Sequence, residues 1–402
     1  MKNMKNEKNI TPYNKIRRNL YATVEKNEKT DRYRFIACAL CILLLASVLF
    51  FIATLMETSK TNNKYVYCYG DTEQKLSEEL AISGDIQLVD MNSLADYCKI
   101  EKSTFFSKTV FKINGTEASF ENGSKDATVN GLTVKMPAEA IIKSGFCLIP
   151  LETAKELVHG ITVSTEGKQT NIETNGDKLY LVARNPEIEY ITDISSFLDY
   201  INSNDEYIFT LANKQNALGE SFPEDKDSLI EIPEQYRKSS VIYLYSVAEK
   251  ALEAMMEDMF AAGLTDAYVT SAYRSYAYQE MLFDMYIEQE MQGGLSYEEA
   301  REIVLTYSSE PGKSEHQTGL CVDFTTKSIG GVVDDGFEGT AAFDWLVENS
   351  WKYGFVLRYP ADKVDITGYS YESWHYRFVG LEVASIMHQT GLCYEEYIQN
   401  FK

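Results

Sequence analysis

Residues 314–323 read Ser-Glu-His-Gln-Thr-Gly-Leu-Cys-Val-Asp, and residues 372–375 read Glu-Ser-Trp-His. The first stretch is polar as far as Thr318, breaks at Gly319, and continues as an apolar run that carries one carboxylate, Asp323. The run from Gly319 to Thr325 predicts a strand. An isolated carboxylate among apolar neighbours is costly, and a metal would relieve that cost. His316 lies seven residues before Asp323, with Gly319 allowing the chain to bend between them. Glu372 precedes His375 by three residues, with Trp374 between them as a packing anchor. The chain has only four histidines, so two of them in such short motifs are informative. His316, Asp323 and His375 are the donors of a one-ion catalytic zinc centre with a position left open. Glu372 is the nearby carboxylate that moves protons. Such a centre polarises a carbonyl and acidifies water, which points to hydrolysis.

Outward from these motifs, residues 206–402 alternate helical and extended patterns. Ile208–Asn213 reads as a strand, and Tyr243–Gly263 as a helix by its apolar spacing. Tyr268–Ser275 reads as a strand running into a turn, and Tyr276–Gln292 and Tyr297–Tyr307 as helices. Further on come a helix over Ala341–Tyr353, strands over Phe355–Tyr359 and Trp374–Val379, and a terminal helix over Leu381–Thr390. The mixed order predicts an α+β domain, a small antiparallel sheet flanked by helices.

Four blocks in this half occur in order: Ser271-Ala-Tyr-Arg-Ser-Tyr-Ala-Tyr-Gln279, Pro311-Gly-Lys-Ser-Glu-His-Gln-Thr-Gly-Leu-Cys-Val-Asp323, Trp345–Pro360, and Tyr371-Glu-Ser-Trp-His-Tyr-Arg-Phe-Val-Gly380. In these blocks the chain resembles the VanY-type D-alanyl-D-alanine carboxypeptidases, a zinc metallopeptidase group that includes lysostaphin-like enzymes and hedgehog domains. The resemblance covers about residues 206–402. It implies zinc ligands at His316, Asp323 and His375, and a general base and acid at Glu372. It further implies that Arg274 stabilises an oxyanion and that Gln279 and Ser314 seat the terminal D-Ala of a peptidoglycan stem peptide. An L,D-carboxypeptidase, a wall endopeptidase and a zinc-stabilised wall-binding module are the alternatives. Ala272, Cys321 and Ser373 depart from the group's usual Gly, Ala and Pro. Cys321 reads as a small core residue, and His388 as surface or packing.

Residues 57–184 form a second region, rich in short extended runs punctuated by Asn114-Gly115, Asn122-Gly123, Asn130-Gly131, Glu166-Gly167 and Asn175-Gly176. Pro150–Val158 reads as a short helix, with His159 at its end, and residues 160–174 as a hairpin. The region is weakly similar to the copper-amine-oxidase-N-like stalk modules of bacterial surface proteins, a resemblance that implies no copper. Residues 185–205 read as a connector.

Residues 35–56 carry no charge over 22 positions, about 33 Å as a helix and enough for a bilayer core. Ten Lys and Arg against four acidic residues precede them in residues 1–34. That excess predicts a single-pass span with a cytoplasmic N-terminus and residues 57–402 outside the cell. The net charge of −22 divides into +6 for residues 1–34 and −28 for the rest. So acidic a body excludes nucleic-acid binding, which needs a basic footprint. Five cysteines lie beyond the span without CxxC spacing. Pairing of Cys68 with Cys98 or with Cys147 is the bridging the sequence leaves open.

Overall fold

The computed structural model describes residues 65–402 except 176, 177 and 239, together with residues 40, 42–45 and 47. The expected cytoplasmic tail, most of the expected span at 35–56, and residues 57–64 therefore lie outside the described residues. Among the described residues no helix is long and apolar enough to cross a membrane.

Residues 65–183 build a β-rich unit from four sheets, one of them only two-stranded. Tyr65–Tyr69 sits centrally, paired antiparallel with Thr72–Leu76 and parallel with Gln169–Thr174. A five-stranded antiparallel meander runs from Glu101–Phe105 to Leu132–Lys135. The Asn114-Gly115 and Asn130-Gly131 turns join its strands, with both Asn residues at positive φ, as two-residue hairpins demand. The expected hairpin forms from Ile161–Glu166 and Gln169–Thr174, and the expected helix spans Leu151–Leu157. The core of this unit is closed by Tyr67, Leu88, Phe111, Phe120, Leu148 and Ile149, all buried. Cys68, Cys98 and Cys147 are free thiols, so neither of the possible bridges forms.

The C-terminal half is α+β. Its sheet has strands β1 (Ala267–Ser271), β2 (Cys321–Thr326), β3 (Phe355–Leu357) and β4 (His375–Phe378), in the order β1-β2-β4-β3 with every pair antiparallel. Helices α1 (Ser246–Ala261), α2 (Tyr276–Gln292), α3 (Tyr297–Tyr307), α4 (Ala341–Asn349), α5 (Leu381–Thr390) and α6 (Tyr394–Phe401) surround it. The spacing of Leu252, Met255, Met256 and Met259 turns one stripe of α1 onto Val269, Val322 and Phe324 of the sheet. Ser275 caps α2 by accepting from the Tyr278 amide, and Ser296 with Glu299 forms a capping box on α3.

Three expectations need correction. Residues 208–213 are not a strand, because Glu206–Phe209 is a 3-10 turn capped by Asp205. The carbonyls of Ile208 and Thr210, which a strand would give to a neighbour, instead accept from the buried Arg377 guanidinium at 2.9 and 2.8 Å. The first long helix begins at Ser246, since Tyr243–Tyr245 pairs as a strand with Leu229–Glu231. The chain also does not finish at Thr390: α6 follows.

The two halves meet on α5 and α6. Tyr180 and Val182 pack with Val379, Val383, Tyr394 and Tyr397. Gln389 accepts from the Ala183 amide at 2.7 Å and donates to its carbonyl at 2.8 Å. Arg184 pairs with Glu382. The His159 ring stacks on Phe401 at 3.7 Å, and its Nε2 lies 2.9 Å from the Asn400 carbonyl.

Candidate metal centre and active site

Register places the donors. In the β2–β4 pair Asp323 stands directly opposite His375 and Cys321 opposite Arg377, so all four side chains share one sheet face. His316 arrives from the 3-10 turn Glu315–Thr318, which Gly319 ends at φ +67°. The left-handed φ at Gly319 strains any side chain, and a Cβ there would also crowd Leu229 Cδ2 at 2.8 Å and the Tyr245 nitrogen at 3.3 Å, so this bend favours glycine.

The His316 Nδ1 lies 2.6 Å from the Ala272 carbonyl. A carbonyl only accepts, so Nδ1 carries the proton and Nε2 keeps its lone pair. That Nε2 is 3.2 Å from Asp323 Oδ2, and His375 Nδ1 is 3.1 Å from Asp323 Oδ1. The two rings meet edge to face at 4.9 Å. Two imidazole nitrogens and a carboxylate thus converge at a buried point. Burial opposes ionisation of Asp323, but the two imidazoles outweigh it and hold the carboxyl well below its usual range.

An orphaned pair behind His375 supports the same reading. His375 Nε2 and Glu315 Oε2 are both buried without a hydrogen-bond partner and face each other at 3.7 Å. If Nδ1 gives its lone pair to a cation, Nε2 must carry the proton, and Glu315 is the acceptor placed to receive it. The donor set therefore fits a divalent metal. Cys321 is part of this cluster: its sulfur and one nitrogen each of His316 and His375 lie within 4.8 Å of one another. Burial pushes the thiol up, but both imidazoles outweigh that and bring it to about 7.

Glu372 lies beside the donors, with Oε2 3.6 Å from His375 Nδ1. Burial raises its carboxyl to about 7, with His375 opposing and Asp323 adding to the rise. A carboxyl poised there can both take and return a proton near neutrality. Arg274 reaches in from the segment after β1, where its backbone amide donates to the His316 carbonyl at 3.0 Å. Its Nη1 donates to Gln279 Oε1 at 3.1 Å, and its buried Nε has no partner among the described residues. Gln279 in turn donates to the Ser309 carbonyl at 2.8 Å. Ser314 is buried at the rim and makes no capping bond.

One cleft is lined by Arg274, Gln279, Ser314, His316, Asp323, Glu372 and His375, so every candidate residue from the sequence comes together there. Tyr286, Tyr307, Tyr359, Tyr369 and Trp374 form its aromatic walls. His159 and His388 lie elsewhere; His388 stacks on Trp351 at 4.7 Å.

The residues that the sequence reading missed are the charges behind the site. Glu315 Oε1 accepts from Arg358 Nε at 2.8 Å and lies 3.2 Å from Arg377 Nη1, all three side chains being fully buried. Arg358 also donates to both oxygens of Glu395, at 2.8 and 2.6 Å. The available signal was a lone charge inside an apolar strand, as in Phe355-Val-Leu-Arg358 and His375-Tyr-Arg377-Phe-Val.

A cleft beside a small antiparallel sheet that gathers two imidazoles, a carboxylate and a separate buried carboxyl has the side chains of a metallopeptidase centre. Residues 241–381 match the family model described as VanY, D-alanyl-D-alanine carboxypeptidase. The YodJ protein of Bacillus subtilis (strain 168) is 34% identical over 280 residues, covering 67% of this chain and 96% of YodJ. The D-alanyl-D-alanine carboxypeptidase of Enterococcus faecalis (strain ATCC 700802 / V583) is 38% identical over 150 residues, covering 37% of this chain and 54% of that protein. A solved zinc(II) complex of a VanY vancomycin-resistance D,D-pentapeptidase variant from a VanB-type cassette is similar at 32% identity. It has a TM-score of 0.40 and covers 48% of this chain and 99% of that one. The chain belongs to the VanY family of D-alanyl-D-alanine carboxypeptidases and is a metallocarboxypeptidase.

Proposed function

We propose that this chain is a zinc-dependent D-alanyl-D-alanine carboxypeptidase, held at the outer face of the cell membrane, that removes the C-terminal D-Ala of peptidoglycan stem peptides or precursors. The observation that carries the reading is the convergence of His316 Nε2 and His375 Nδ1 on Asp323, with Glu372 and Arg274 facing the same cleft. His316, Asp323 and His375 hold the ion. When bound, zinc supplies a Lewis acid for the scissile carbonyl and acidifies water. Glu372 takes the proton from the attacking water and passes it to the leaving amine. Arg274 presents fixed donors to the oxyanion as charge develops on the carbonyl oxygen. Gln279 orients Arg274 and, with Ser314, lines the place of the terminal D-Ala. In this reading residues 1–34 are a cytoplasmic tail, 35–56 the span, 57–184 an extracellular stalk, 185–205 a connector and 206–402 the enzyme. Anchoring keeps the site close to substrates that are themselves at the membrane or wall.

The test is to incubate the full chain and zinc with a pentapeptide stem and, separately, with a tetrapeptide stem, following products by mass. Free D-Ala from the pentapeptide is the expected result. Release from the tetrapeptide alone would assign an L,D-carboxypeptidase instead. For the anchor, the full chain is expected to sediment with membranes and to lose that behaviour when residues 35–56 are deleted.

A further inference from the structure

Glu395 lies on α6, beyond the residues that match the family model, yet it joins a chain of buried charges that ends on a metal-site histidine. We propose that Glu395 is a positioning residue for His375, acting through Arg358 and Glu315. The inference rests on the metal reading above and deepens it.

His375 turns Nδ1 toward Asp323 and Glu372, leaving Nε2 to face Glu315 Oε2 at 3.7 Å. Glu315 can serve that nitrogen only if one of its oxygens stays uncommitted, and Oε2 is uncommitted among the described residues. The other oxygen, Oε1, takes both guanidinium groups, Arg358 at 2.8 Å and Arg377 at 3.2 Å. Two cations on one carboxylate would draw both oxygens away from the histidine. Glu395 prevents this by binding Arg358 through two parallel hydrogen bonds, the strongest arrangement a guanidinium makes. Arg377 does not need the same relief, because its Nε and Nη2 are spent on the Phe378, Ile208 and Thr210 carbonyls. With Glu395 in place, two guanidinium groups face two carboxylates. Without it, Glu315 alone balances both, and its pull on the His375 N–H weakens. A ligand imidazole that loses its carboxylate partner becomes a poorer donor and a less fixed one.

The test measures zinc dissociation constants of the full chain by competition with a chromophoric chelator, alongside kcat and KM. Glu395→Ala is expected to weaken zinc binding about tenfold, the lower end of what outer partners of metal ligands contribute, and to lower kcat with little change in KM. Glu395→Gln keeps acceptor capacity without the charge and is expected to fall between Glu395→Ala and wild type. Lys363→Ala is the control, since it breaks the ion pair of Lys363, in the 3-10 turn Ala361–Lys363, with Glu396, the neighbour of Glu395 on α6, and leaves the Glu395–Arg358 bonds in place. It is expected to lower Tm and leave zinc affinity unchanged. The inference is overturned if Glu395→Ala binds zinc as tightly as wild type, or if Lys363→Ala weakens it equally. A wild-type chain that takes up no zinc would sink the metal reading itself, an outcome distinct from these two.

Discussion

Glu372, Cys321 and Asp323 are three ionisable side chains in one small space: His316 and His375 lower both Cys321 and Asp323, whereas burial raises Glu372. In the proposed mechanism Glu372 is the base; burial, more than any charge, sets its carboxyl, at about 7. It abstracts a proton only when ionised, so activity is lost as pH falls through its pKa. A dication beside it favours the carboxylate, which puts the acid limb of the loaded enzyme at or below 7. Glu372→Gln is expected to lower kcat by about 10²–10⁴, to remove that limb and to retain metal; pH–rate profiles with metal analysis check this. A variant as active as wild type would exclude Glu372 as the proton carrier. Cys321 offers a sulfur to the same cluster, but Asp323 already bridges both imidazoles at 3.1 and 3.2 Å. Cys321→Ala is therefore expected to keep one metal per chain. Cobalt-loaded wild type should show no sulfur-to-cobalt charge-transfer absorption; such a band, lost in Cys321→Ala, would make the thiol a ligand.

Among the elements, α1 carries a cost that the site does not need. Glu249 in its first turn is fully buried, with the Lys250 ammonium 3.1 Å away. Burial, reinforced by Glu253 and opposed by Lys250, raises its carboxyl to about 7. An acid whose folded pKa is raised favours the fold when protonated. That contribution is whole below about pH 4.5 and is lost as pH rises through 7. Glu249→Gln is thus expected to stabilise the protein by up to about 3 kcal/mol at pH 8 and by little at pH 5, as read by denaturant unfolding at both. Equal shifts at the two pH values would show that the carboxyl is not titrating in the fold. The contrast with Glu315 is instructive: it is equally buried, but two arginines outweigh burial and hold it well below the usual carboxylate range.

Over the whole molecule, the β-rich unit and the enzyme half share a seam on α5 and α6, made by Tyr180, Val182, Arg184, Gln389 and the His159–Phe401 stack. Because α6 also carries Glu395, the helix that seats the β-rich unit is the one that reaches the charges behind His375. The two halves are expected to unfold in one calorimetric transition. Replacing His159 and Phe401 together with Ala removes the stack and the Asn400 contact, and is expected to split that transition into two. A wild-type chain that already melts in two steps would show the seam to be energetically idle.

The sequence by itself determined the elements and donors that local pattern controls. The sequence reading placed helices at Tyr276–Gln292, Tyr297–Tyr307 and Leu381–Thr390, as the structure has them, and Asn-Gly pairs placed the hairpin turns, because such features follow from backbone preferences over a few residues. Asp323 was legible because a carboxylate in an apolar strand needs a partner, and Gly319 because the chain must bend there to bring His316 back. Only the tertiary structure decided what depends on residues distant in the chain. Register across β2 and β4 set His375 against Asp323. The Arg377 guanidinium, by taking the carbonyls of Ile208 and Thr210, cancelled the strand expected there. In the Glu315–Arg358–Glu395 chain only Arg358 stood out, as a charge in an apolar run; its partners were invisible to pattern because they lie 43 and 37 residues away and meet it only in the fold.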